Sequence, residues 1–104
     1  MIVLDRAHFD HMTGADRALQ LEVLNLFRAQ VEGWTTAFDA GPGWREAVHT
    51  LKGSARGIGF TVLANACEAA ERASDAESAG AILQVRAALR EALSALEQFA
   101  AEAA

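Results

Sequence analysis

His49, Lys52 and Gly53, at the head of the run His49–Gly59, have residue types and a spacing suited to group transfer. An unperturbed imidazole titrates near pH ~6.5, and neighbouring cations favour its neutral, nucleophilic form. A neutral ring nitrogen can take up a phosphoryl group, whose equatorial oxygens carry negative charge that an ammonium one helical turn away stabilises. Gly53 costs a helix about 1 kcal/mol relative to alanine, so its place there asks for a reason. Lack of a Cβ leaves clearance beside the imidazole, and only a macromolecular partner needs it. The sequence has no Gly-rich nucleotide loop of the Walker or kinase type and no carboxylate cluster placed to hold magnesium. The chain is therefore expected to have no cofactor of its own, any metal and the primary phosphate donor coming from the partner.

The element that must hold these residues is a helix beginning near Trp44. Trp44, Ala47, Val48, Leu51, Ala55 and Ile58 recur at spacings of three and four and define its buried face. At 100° per residue, His49 points about 150° from the centre of that face, with Arg45, Lys52 and Arg56 on its own side. The expectation is a solvent-exposed histidine on a rigid support, within a basic ridge. A single exposed histidine is ordinarily just surface, and flanking cations are ordinarily solvated. The combination of histidine, lysine and a helix-weakening glycine is what raises this one above that background.

The remainder of the chain reads as the scaffold. Its 104 residues suit one domain, spanning 1–104, with 52 % hydrophobic residues and a single proline, Pro42. A formal net charge of −5 argues against general nucleic-acid binding. The one cysteine, Cys67, excludes an internal disulfide and fits a reducing cytoplasm. With no leader pattern and no apolar run near the ~18 residues of a membrane span, the chain is expected to be cytoplasmic, and it begins with Met1 as a stand-alone protein would.

Residues 1–13 suggest a short helix capped by Asp5. His8 and His11 have a helical spacing that can ligate a metal, but without further ligands they are expected to be surface residues. Asp16 to Phe38 forms the second helix, with Val23, Leu24, Phe27, Val31, Trp34 and Phe38 on one face. Leu19 and Leu26 lie off that face; either the first helix covers them, or they belong to an apolar docking surface near the histidine. Asp39-Ala40-Gly41-Pro42-Gly43 is the strongest turn signal, and its shortness makes the flanking helices antiparallel. Gly57 and Gly59 are expected to end the histidine helix or permit a tight turn after it. Phe60 to Ala73 follows, with Leu63, Ala66, Cys67 and Ala70 inward, which makes Cys67 a core residue rather than a partner of His49. Ser74-Asp75-Ala76-Glu77 matches a capping box, weakened by Gly80, and opens a last helix carrying Ile82, Val85, Leu89, Ala92, Leu93, Leu96, Phe99 and Ala100. The predicted fold is all-α: an antiparallel up-and-down four-helix bundle with a short additional N-terminal helix. Because the bundle uses its apolar stripes internally, a monomer is expected.

His49-Thr50-Leu51-Lys52-Gly53-Ser54-Ala55, followed by Ile58-Gly59 and then Leu63, Cys67 and Glu71, resembles the histidine-containing phosphotransfer (HPt) domain of bacterial phosphorelays. The resemblance covers essentially the whole chain in length and helix order. It implies that His49 is a phosphoacceptor loaded from the aspartate of one receiver domain and unloaded to another, with Lys52 the stabilising cation and Gly53 the clearance residue. The implied partners are response-regulator receiver domains and a sensor or hybrid histidine kinase, with Mg2+ on the receiver. Arg45, Arg56, Gly57 and Leu26 surround the histidine as candidate partner contacts. Some members carry a glutamine on the next helix that bonds near the histidine; Glu71 aligns with it, able to orient the ring yet also to repel a phosphoryl group. A second possibility is an HPt-like docking module that regulates a kinase or receiver without carrying phosphate. The dimerisation bundle of a sensor kinase fits less well, because the usual proline after the histidine motif and an ATP-binding domain are absent.

Overall fold

The computed structural model describes residues 2–39 and 41–103; Met1, Ala104, and Ala40 of the expected turn lie outside the described residues. Five α-helices run through them: α1 Arg6–Thr13, α2 Arg17–Phe38, α3 Trp44–Ile58, α4 Thr61–Arg72 and α5 Ser78–Ala103. Their ends follow from local chemistry. Asp5 caps α1 by accepting from the His8 backbone N–H at 3.0 Å, and Asp16 caps α2 by accepting from that of Leu19 at 3.1 Å. Gly59 ends α3 at φ 107°, a left-handed conformation that glycine adopts without strain. The Ser74 and Glu77 capping box is present, and it holds the Glu77 carboxyl below the usual range.

The long helices pack in a ring, α2 on α3, α3 on α4, α4 on α5 and α5 back on α2, as expected of a four-helix bundle whose successive members are joined by short connections. Its core includes Leu24, Phe27, Val48, Leu51, Leu63, Cys67, Val85, Leu89 and Leu96. Phe60, in the two-residue link between α3 and α4, is fully buried against Phe27, with ring centroids 5.1 Å apart. None of the described helices is long and apolar enough to cross a membrane.

The expected faces hold with shifts at their margins. Val23, Val31, Ala66, Ile82 and Leu93 are only partly buried, whereas Ala64 and Ala88 are fully inside. Gln20 is the one polar residue buried among those described, at a position the apolar pattern of α2 does not mark. α1 explains it, because the amide of Gln20 bonds to Asp10 and Thr13 where α1 crosses α2.

Candidate functional site

α3 carries His49 on its outer side with 70 % of the side chain exposed, while Val48 and Leu51 on the opposite side have no exposure at all. The support is rigid because three neighbours, α1, α2 and α4, pack against the same helix. From α4, Glu71 reaches back to the imidazole. Its Oε2 lies 3.0 Å from Nδ1 of His49, and its Oε1 lies 2.7 Å from Nζ of Lys52. The Lys52 contact is an ion pair without hydrogen-bond alignment, and Oε1 has no other polar partner among the described residues. Lys52, and secondarily the ring of His49, hold the Glu71 carboxyl below the usual carboxylate range, against an opposing push from burial. An ionised Glu71 is acceptor-only, so in the neutral ring it selects the tautomer with the proton on Nδ1 and leaves Nε2 with its lone pair.

Arg45, Lys52 and Arg56 do not form the open basic ridge that the angular position on α3 suggests. α4 places carboxylates against that side. Lys52, 17 % exposed, is paired with Glu71, and Arg56 bonds Glu68 at 3.2 Å. Arg45 donates to the backbone carbonyls of Glu71 at 2.8 Å and Ala73 at 2.7 Å while its guanidinium covers the Trp44 ring. These are carbonyls at the end of α4 that lack helical partners, so Arg45 ties α4 to α3 beside the histidine. The helical wheel of one element cannot register charges that arrive from the next.

Gly53 and Gly57 lie on the same exposed side of α3, and a Cβ at either would meet nothing within 4 Å. Neither glycine is therefore explained by crowding within the chain. Both line a groove of about 430 Å³ that runs between α1, α2 and α3, with Phe9, Met12, Val23, Leu26 and Phe27 among its walls. Leu26 is 61 % exposed and Leu19 41 %, so α1 does not cover them. Cys67 lies in the core of α4, its thiol pushed up to about 12 by burial first and by the charge of Glu71 second, with Lys52 opposing; it is inert there. His11 is exposed, and the Nε2 of His8 lies 3.2 Å from the Gly57 carbonyl. The pattern i, i+3 of Glu68 and Glu71 on α4 was the available signal for the ion pairs. Nothing in the apolar periodicity points to Gln20 or to the His8 contact.

A family model for the Hpt domain matches residues 9–99 of this chain. Among solved structures, the chain is similar to the histidine phosphotransferase ShpA from Caulobacter crescentus, with 38 % identity and a TM-score of 0.82 over 97 % of this chain and 93 % of that one. No curated protein matches it.

Proposed function

The chain belongs to the Hpt domain family, with the phosphorelay role that this family implies, and from that premise we propose that His49 carries the phosphoryl group between two receiver domains. The observation that carries the reading is the fixed Nδ1 contact with Glu71, which leaves Nε2 of an exposed ring as the nucleophile. In loading, the Nε2 lone pair attacks the phosphorus of a receiver's aspartyl phosphate; the N–P bond forms as the P–O bond breaks and the aspartate leaves as carboxylate. Nδ1 keeps its proton, so the positive charge that the ring develops faces Glu71. In unloading, the carboxylate of a second receiver attacks the same phosphorus and the ring departs with its electron pair. Mg2+, held by the receiver's own residues, would add to the charge neutralisation that Lys52 supplies from this chain.

Lys52 sits where it can turn from Glu71 to the equatorial oxygens as they arrive, exchanging one anionic partner for another. Gly53 leaves room beside the ring for the receiver's active-site loops, in keeping with the open space at its Cα. Leu26 and Gly57, with the rest of the apolar groove, give the receiver a surface to bury, while Arg45 and Arg56 fix the adjoining edge through their ties to α4. The bundle has no nucleotide site in this reading, so the first donor is a sensor or hybrid kinase acting through its receiver.

Phosphoryl transfer from a panel of phosphorylated receiver domains to the wild-type chain and to His49→Gln tests the proposal. An acid-labile, base-stable label on the wild type that is lost in the variant is the expected result. Binding without any label would instead identify a regulatory docking module, and labelling of the variant would remove His49 from its role.

A further inference from the structure

α1 is eight residues long and buries one side chain of its own, Phe9, with Leu4 the buried residue just before it. Apolar burial is non-directional, and two anchors leave a short helix free to swivel about the line that joins them. Yet α1 forms a wall of the groove beside Gly53 and Gly57, to which it contributes Phe9, Met12 and Thr13. Its angle sets the width of that groove. Something directional must fix it.

Both ends of α1 carry such contacts. At the entrance, the Asp5 N–H donates to the Gly59 carbonyl at 2.8 Å, and His8 meets the Gly57 carbonyl. At the far end the contact is through Gln20, which is 1 % exposed. Its Nε2 donates to Asp10 Oδ1 at 2.7 Å and to Thr13 Oγ1 at 3.0 Å, while its Oε1 accepts from Arg17 at 3.1 Å. The Thr13 hydroxyl in turn donates to the Phe9 carbonyl at 2.7 Å. The carboxylate fixes which end of the amide is the donor, and each polar atom of Gln20 is occupied. Satisfied buried networks of this kind specify one arrangement more than they add stability, and an apolar residue of equal size can replace the amide at small cost only where the partners left behind keep other bonds or reach water, as the Thr13 hydroxyl does through Phe9. Asp10 is exposed and regains water if the amide is removed.

We infer that Gln20 is a positioning residue for partner docking: through Asp10 and Thr13 it latches α1 at the angle that completes the apolar groove beside His49. The inference rests on the reading of that groove as the receiver's docking surface. Gln20 does not touch the ring of His49 and does not itself line the groove, which it reaches only from behind through Thr13, so loss of the latch loosens the wall and makes the partner order it on binding.

The test is single-turnover transfer from the receiver domain that loads the wild type fastest, measured against receiver concentration for Gln20→Met, Asp10→Ala, the double variant and Leu26→Asp. Gln20→Met is expected to raise the half-saturating concentration about threefold to tenfold, with the maximal rate and the melting temperature little changed. Asp10→Ala, which breaks the latch from its exposed end and does not depend on core packing, is expected to do the same, and the double variant no more than either. An unchanged half-saturating concentration in both single variants, or a fall confined to the maximal rate, would overturn the latch. Additive effects in the double variant would overturn it as well. Leu26→Asp separates the premise: if it leaves half-saturation unchanged, the groove is not the docking surface and the reading beneath the inference fails; if it weakens docking while the latch variants do not, the inference alone fails.

Discussion

On one flank of α3, α4 brings Glu68 and Glu71 against Arg56, Lys52 and His49, and nearly every charge there has a partner. On the other flank, α1 and α2 leave an apolar groove with Met12 and Leu26 more than half exposed and, among the described residues, no ion pair across it. The same helix is thus finished chemically on one side and left unfinished on the other. The paired flank suits a reaction whose charges must be placed before the substrate arrives, since preorganised charges need no rearrangement at the moment of transfer. The open flank suits association, where apolar area still in contact with water is the source of affinity. Substitutions on the first flank should therefore change rates, and those on the second should change binding.

The largest separation is expected from His49→Gln. An amide cannot act as the phosphoryl acceptor, so acceptance is lost entirely, while thermal unfolding and receiver binding stay near wild type because the side chain is mostly solvated. Calorimetric titration with an unphosphorylated receiver checks the second half. Lys52→Ala should come next. The lysine's charge is needed most as the phosphoryl group moves, so maximal transfer is expected to fall about tenfold to a hundredfold, with a much smaller change in half-saturation. Loss of binding alone would move Lys52 to the docking flank.

The two flanks differed in how much of them could be seen in the sequence. The placement of His49, Lys52 and Gly53 together on α3 was legible because they are near neighbours on one helix, and the four apolar stripes were legible because each repeats with the helical period. The pairing of Lys52 with Glu71 was not, since the two are nineteen positions apart and meet only once α4 folds back along α3. For the same reason Arg45, which looks on α3 like a free cation, proves to cap the end of α4. Gln20 was hidden differently. A polar residue on the buried side of a helix breaks the apolar pattern, and only the arrival of α1 with Asp10 and Thr13 makes it favourable.

Gly53 lies between the flanks, and Gly53→Ala sharpens the boundary. The position is exposed, helical and free of neighbours, so alanine should stabilise the protein by up to about 1 kcal/mol. Where a receiver approaches closely, the added methyl should weaken docking about tenfold. Denaturant unfolding and transfer kinetics on one preparation test both signs together. Greater stability with unchanged half-saturation would mean that the clearance has no use in docking.

The smallest expected effect concerns the paired flank alone. The folded Glu71 carboxyl titrates below its ordinary value of 4.5 because Lys52 and His49 favour its charged form. As pH falls below that ordinary value, the unfolded chain takes up the proton first, so unfolding binds protons and stability rises with pH across this window. Glu71 thus contributes stability that is present above about pH 4.5 and is lost as pH falls through the folded carboxyl's own titration. Glu71→Gln removes this linkage. At neutral pH the variant should be less stable than wild type by about 1 kcal/mol or less, and the difference should shrink toward zero in acid, as urea unfolding at a series of pH values would reveal. Glu68→Gln provides the contrast, since its pair with Arg56 is roughly half exposed and should leave stability almost unchanged at either pH. If the two substitutions gave the same curve, the Glu71 contact would be an ordinary surface ion pair, and the paired flank would owe its order to the backbone ties of Arg45 instead.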